Sequence, residues 1–258
     1  MSKDSTQKVL IVAALLCVVC SVLVSTVAVA LRDQQGLNAA RDKQKNVLVA
    51  AGLLPEGEKA DVDALFKSIE PVMVDLASGA ILPGEDTSSF DLEAVMKDPK
   101  LLDPVLPEQY PNGIKGRPKR VAVYLQKENG KIKTVILPVV GKGLWSTMYG
   151  FLALEADLTT TKGLVFYKHG ETPGLGGEVD SDQWRGQWRG QKQLFDPSGA
   201  YAFTVIKGQV DPSASDASHK ADGISGATLT IRGVDGMMRY WMSDAAYGPF
   251  LRSLAQSR

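Results

Sequence analysis

From Val9 to Leu31 the chain carries no charged residue, and most positions are Val, Leu, Ala or Ile. These 23 residues match the ~20 that an α-helix needs to cross a bilayer core. Arg32, Asp33 and Gln34 end the run. Ala28-Val29-Ala30 has the small-residue pattern of a signal-peptidase site, so a cleaved signal peptide is the rival expectation. A signal h-region is about 7–15 residues, and the greater length here favours a retained anchor. No second span follows. Lys3 and Lys8 precede the span, whereas Arg32, Arg41, Lys43 and Lys45 follow it. That count favours a cytoplasmic C-terminal part, although long domains translocate largely regardless of it.

Beyond the span the pattern changes to helical and then to alternating. Leu37 to Val49 has charge-rich helical character and continues upward from the membrane, and Asp61 to Ile69 reads as a short helix. From Pro71 to Pro118 the chain is rich in Pro, Gly and Asp, with few periodic runs, which predicts a connecting or wrapping segment. A β-rich unit is expected from Arg120, where Val121, Val123 and Leu125 alternate with Ala122, Tyr124 and Gln126. Glu128-Asn129-Gly130 is a hairpin-type turn before the apolar run Thr134 to Val140. Phe151–Leu154, Leu164–Tyr167 and Ala202–Ile206 read as further strands. Trp184 and Trp188 stand four apart, as on one helix face. A closing helix is expected over Ser225 to Ala246, with Val234, Met237, Met238, Trp241 and Met242 on its apolar face. The expected organisation is a tail at 1–8, a transmembrane helix at 9–31, a connecting segment at 32–119 and a ligand-binding domain at 120–258. The fold class is α+β, with a β-rich domain and packed helices behind a single N-terminal transmembrane helix.

Composition narrows the chemistry. The 29 basic and 29 acidic residues cancel, and no Lys/Arg-rich block occurs, so nucleic acid is not an expected partner. Cys17 and Cys20 both lie in the span, and two thiols do not complete the four-ligand set usual for zinc or an iron–sulfur cluster. His169 and His219 are the only histidines, and no metal site is expected; His169 reads as a polar rim residue. There is no Walker-type phosphate loop and no G-x-S-x-G elbow. A tetrapeptide is duplicated as Gln183-Trp184-Arg185-Gly186 and Gln187-Trp188-Arg189-Gly190, too short for a repeat architecture.

Three clusters carry candidate chemistry. The loop from Gly141 to Gly150 combines glycines with Trp145 and Tyr149. It either covers a planar ligand or is a hairpin connection folded onto the core. The segment from His169 to Gly177 is glycine-rich, with Glu171 and Thr172 as hydrogen-bonding groups. It is not a dinucleotide fingerprint, because the third glycine would fall at Val179. The last cluster is Asp222-Gly223-Ile224-Ser225-Gly226-Ala227-Thr228. Here Ser225 is the expected N-cap, and Thr228 would lie in the first turn, where free N–H groups and the helix dipole favour an anion.

This last segment resembles the flavinylation motif Asp-x-x-Ser/Thr-Gly-Ala-Thr, in which a flavin transferase esterifies FMN through its phosphate to the final threonine. The anchor, the Gly-Leu-Trp-Ser-Thr-Met-Tyr-Gly loop, the Glu-Thr-Pro-Gly-Leu-Gly loop and Ser-Gly-Ala-Thr occur in that order. The chain thereby resembles the C-subunit family of bacterial sodium-translocating NADH:quinone reductases. The G-subunit family of the Rnf electron-transport complex shares the Glu-Thr-Pro-Gly-Leu-Gly and Ser-Gly-Ala-Thr motifs, and is the alternative together with an anchored FMN-binding sensor or scaffold.

The resemblance implies a covalent FMN on Thr228 and a flavin domain on the periplasmic side of the inner membrane, against the charge count. Ser225, Gly226 and Ala227 would form the phosphate neighbourhood. Leu144, Trp145 and Ser146, with Glu171, Thr172, Leu175 and Gly176, would surround the ring or ribityl chain, and Lys207 is a further polar contact. The resemblance also implies an electron relay without an NADH site or catalytic residues of its own. Its partners would be the sister subunits of a membrane redox complex, the membrane and the flavin transferase.

Overall fold

The computed structural model describes residues 6–54, 61–111 and 113–256, so most of the tail expected at 1–8 lies outside the described residues. The chain divides into two units, Met1–Lys43 and Gln44–Arg258. In the first unit, α1 (Thr6–Ala30) carries no charge from Val9 onward and none of its most apolar stretch is buried. Among the described residues it is the one helix long and apolar enough to cross a membrane. Helical hydrogen bonding runs on through Leu31, whose N–H donates to the Val27 carbonyl and whose carbonyl accepts from Gln35, into α2 (Arg32–Ala50). Cys17 and Cys20 are exposed free thiols on α1.

The second unit is built on a six-stranded antiparallel sheet. After α3 (Val62–Phe66), capped by the Asp61 carboxylate, come β1 (Ile69–Asp75) and β2 (Ile81–Leu82). The short α4 (Leu92–Val95), β3 (Leu102–Pro104) and β4 (Gly116–Pro118) lead to β5 (Arg120–Glu128), β6 (Lys131–Lys142), β7 (Thr147–Glu155) and β8 (Thr161–Lys168). The sheet order is β2-β1-β5-β6-β7-β8.

The strand expectations hold from β5 to β8, whereas the one over Ala202–Ile206 shrinks to Thr204–Val205. The β5–β6 turn has Asn129 at φ 52° and Gly130 at φ 77°, the two positive values a tight hairpin turn requires. Alternation divides the side chains between two cores. Val123, Leu125, Val135, Leu137, Leu152 and Leu164 face the larger one, while Tyr124, Ile136, Phe151, Ala153 and Val165 join Val47, Leu48, Ala51 and Val62 in the smaller. A sheet covered on both faces explains why Thr134 to Val140 reads as continuously apolar.

Two expectations change. The sheet does not begin at Arg120, because β1 pairs with β5 along its whole length, from Ile69 opposite Gln126 to Asp75 opposite Arg120. Further along the expected connecting segment, Tyr110 stacks on Tyr240 with ring centroids 5.2 Å apart. The closing helix is also shorter than expected and is followed by a second. α5 (Asp182–Gly186), β9 (Thr204–Val205) and β10 (Lys220–Ala221) precede α6 (Thr228–Trp241), and α7 (Gly248–Gln256) follows it. The Ser243 hydroxyl donates to the Tyr240 carbonyl and accepts from the Ala245 amide, which turns the chain. Pro249, at the start of α7, suits a helix's first turn.

β6 parts from β5 beyond Ile136, and α6 and the turn that follows it reach the edge this frees. The Pro138 carbonyl accepts from the Tyr247 hydroxyl at 2.6 Å, and the Val140 carbonyl accepts from the Trp241 indole at 2.7 Å. A methyl group on Gly233 would stand 1.9 Å from the Lys142 carbonyl oxygen. Only glycine allows α6 to lie this close to β6, and that contact places the start of α6 beside the β6–β7 loop.

Candidate functional site

Three segments meet at this end of the sheet: the β6–β7 loop (143–146), the loop after β8 (169–177) and the start of α6. The group that joins them is Glu171. Its side chain is buried, at 5 % exposure, and accepts from the backbone amides of Leu144 (3.0 Å), Trp145 (2.9 Å) and Ser146 (3.2 Å). The Thr230 hydroxyl donates at 2.5 Å to the same oxygen that accepts from Leu144. Burial pushes the Glu171 pKa up, but the Thr230 hydroxyl and the amides of Trp145, Leu144 and Ser146 more than offset it. The carboxyl is therefore held below its usual range.

Glycines clear the space around this carboxylate. A methyl group on Gly143 would stand 2.4 Å from a Glu171 carboxylate oxygen, and one on Gly176 would stand 2.5 Å from the Thr230 hydroxyl oxygen. His169 supports the same loop from the side. Its Nδ1 accepts from the Glu171 amide at 3.2 Å, while Nε2 lies 2.6 Å from Asp180. Arg185 pairs with the other Asp180 oxygen at 2.9 Å. The expected polar rim role of His169 thus becomes a supporting one.

α6 begins three residues later than expected. Gly226 has φ +75° and the Ala227 amide donates to the Ile224 carbonyl, so the chain is still turning at Ser225. The N-cap is Ala227 rather than Ser225, and no side chain caps the helix. Thr228 is consequently the first helical residue, with its side chain exposed. Thr230 is buried beneath it, because positions two apart on a helix point in nearly opposite directions.

Most of the expected binding residues gather here. Trp145 is 71 % exposed, and Leu144, Leu175 and Leu229 are exposed as well. A methyl on Gly226 would stand 2.8 Å from Leu175, so Leu175 lies directly against the turn before Thr228. Ser146 accepts from the Gly170 amide at 2.7 Å. Thr172 is exposed and Gly176 is buried. Within this set the Glu171 carboxylate is engaged by the protein's own amides and hydroxyl, and so shapes the loop. Lys207 is exposed two residues past β9, and among the described residues no hydrogen bond ties it to these loops. Sequence reasoning took Gly143 only as one of the glycines of its loop, and missed Thr230. The signal for Thr230 was its place two residues after Thr228, on the inward face of an amphipathic helix.

Comparison with known proteins places this arrangement. A family model described as an FMN-binding domain matches residues 143–243, which spans all three segments. The C-subunit of the Na(+)-translocating NADH-quinone reductase of Pseudomonas aeruginosa is 45% identical, over 98% of this chain and 97% of that protein. The chain belongs to this C-subunit family. The Yersinia pestis member is 42% identical over 99% of this chain and 95% of its own length. The crystal structure of Shewanella oneidensis NqrC superposes with a TM-score of 0.75 at 34% identity, covering 85% of this chain and 99% of that one. The chain is thus α+β, with one apolar N-terminal helix followed by a β-rich FMN-binding domain that resembles NqrC.

Proposed function

We propose that this chain is the membrane-anchored flavoprotein subunit of a sodium-translocating NADH:quinone reductase. It carries FMN through a phosphoester to Thr228 and relays electrons from NADH toward quinone, coupled to Na+ export. The single observation that carries the covalent assignment is Thr228 itself. Its side chain is exposed on the first residue of a 14-residue helix without a side-chain cap. It also lies inside the region that matches the FMN-binding domain.

The residues present fit the group. The first-turn N–H groups and the helix dipole favour the negative charge a phosphodiester retains, and Ser225, Gly226 and Ala227 border that position. Trp145, Leu144 and Leu175 offer apolar area for a planar ring, with the loop that bears the first two held rigid by Glu171. Thr172, Ser146 and Gly176 line the adjoining backbone, and Lys207 is the more distant polar contact. Bound FMN supplies the capacity to take up and release electrons; the protein positions it and sets its surroundings. No acid or base is assigned, since a relay needs a fixed cofactor more than proton transfer.

Family membership supports sister subunits as partners, one of which handles NADH, and a flavin transferase for maturation. α1 is the anchor in the inner membrane, and the domain lies in the periplasm.

The test is co-expression with a flavin transferase. The chain is expected to keep yellow fluorescence through denaturing electrophoresis and to gain the mass of one FMN less one water. Thr228→Val removes the nucleophile at nearly constant volume and abolishes both signals, whereas Thr228→Ser retains part of the labelling. A labelled Val variant would overturn the assignment.

A further inference from the structure

The first residue of the flavinylation motif is half-buried, and the domain itself grips it. The Asp222 amide donates to Gln187 Oε1 at 2.6 Å. Its carbonyl accepts from the Trp184 indole at 2.9 Å and from Gln187 Nε2 at 3.5 Å. One carboxylate oxygen accepts from the Val210 amide at 2.8 Å. Amide, carbonyl and carboxylate of one residue are thus engaged by three residues distant in sequence. Immediately beside it the Gly223 amide donates to the Gly208 carbonyl, and a methyl on Gly223 would stand 2.3 Å from the Ile206 carbonyl oxygen.

The duplicated tetrapeptide supplies the grip, and its two copies do different things. From the first copy, Trp184 takes the Asp222 carbonyl. From the second, Gln187 brackets the Asp222 peptide with both ends of its amide, while Trp188 is fully buried against Phe203 with ring centroids 5.1 Å apart. Past this clamp the chain is exposed at Ser225, Gly226 and Thr228.

We propose that Trp184 and Gln187 are positioning residues for the modification of Thr228, holding Asp222 so that residues 222–228 form one fixed surface for the transferase. Asp222 therefore acts in the motif through its hydrogen bond to Val210 and the clamp on its backbone, not as a charge the transferase reads. This rests on the assignment of Thr228 as the modified residue. In that transfer the Thr228 Oγ forms a bond to the FMN phosphorus of a flavin dinucleotide donor. The donor's diphosphate bond breaks, a nucleoside monophosphate leaves, and the hydroxyl proton passes to a base of the transferase.

Loss of the clamp lowers the fraction of chains whose loop is competent, which raises the apparent KM in proportion and leaves the saturated rate intact. The full chain in detergent micelles is titrated against the transferase with the flavin dinucleotide as donor, and thermal melting of each variant is followed alongside. Gln187→Met is expected to raise the KM for the protein substrate about tenfold or more with kcat within about twofold. Asp222→Asn keeps an oxygen for the Val210 amide and is expected to stay within about threefold of the parent KM, whereas Asp222→Ala behaves like Gln187→Met.

An Asn variant as poor as the Ala variant, both melting like the parent, would show that the carboxylate is read directly and would overturn the proposal. An unchanged KM in Gln187→Met would do the same. Failure of the unaltered chain to be labelled would instead remove the Thr228 assignment on which the proposal rests.

Discussion

The carboxylate of Glu171 and the hydroxyl of Thr230 stand 2.5 Å apart, across 59 residues of sequence. The same carboxylate gathers the amides of Leu144, Trp145 and Ser146, so one buried group ties the start of α6 to both loops beside Thr228. Glu171→Ala leaves those donors without a partner. Hydrogen bonds to a charged group are worth about 1.5–3 kcal/mol, and a domain of this size loses about 2–4 °C of melting temperature per kcal/mol. The variant is expected to melt about 5–10 °C lower by calorimetry; a fall of under about 1 °C would sink this account of the node.

The same group predicts a pH dependence. Its folded pKa is lowered, so its contribution is fully present above the unfolded glutamate value. It is lost as pH falls through the lower folded value. The difference in melting temperature between the parent and Glu171→Gln should be largest near neutrality and shrink as the pH is taken down through the carboxylate range. A difference that stays constant throughout would argue against an ionised Glu171.

Gly233 tests the placement of α6. A methyl there meets the Lys142 carbonyl oxygen, which is backbone and cannot swing aside. Overpacking of this kind typically costs about 1–3 kcal/mol, so Gly233→Ala should unfold at lower denaturant with an unchanged slope. Gly186→Ala, where no atom lies within 4 Å of the added methyl, is the control and should be nearly neutral.

Trp145 separates stability from ligand contact. Its side chain is largely exposed, and Trp145→Ala should change stability by no more than about 0.5 kcal/mol. With FMN on Thr228, the same variant should show brighter flavin fluorescence, because a neighbouring indole quenches the flavin. Unchanged emission with an intact bond to Thr228 would place the ring elsewhere.

Orientation is open to direct labelling. The only cysteines are Cys17 and Cys20 on α1, so a chain with both changed to Ala and with Lys131→Cys carries one exposed thiol beside the β5–β6 turn. In cells with a permeabilised outer membrane it should react with an impermeant maleimide. Reaction only after the inner membrane is broken would place the domain in the cytoplasm.

The elements legible in the chain are those decided by neighbours in sequence. The length and composition of α1, the alternation along β5 and the Asn129-Gly130 turn depend on residues within one segment, and each is found where its pattern lies. β1 was not legible, because Pro71 and the charged flanks of Ile69–Asp75 give it little strand character alone. Seven backbone pairings with β5 make it a strand. The start of α6 was misplaced for a similar reason: Ser225 is a good cap by chemistry, but Gly226 at positive φ keeps the chain turning until Ala227.

The functional motifs divide in the same way. Thr228 and the order of the three loops are properties of the sequence, since a hydroxyl and its small neighbours are local features. The work of Glu171, Thr230, Trp184 and Gln187 is not, since each acts on a partner between 25 and 59 residues away. A buried carboxylate looks the same in sequence whether it binds a ligand or a loop. Only the packed chain, by surrounding it with its own donors and excluding water, decided which.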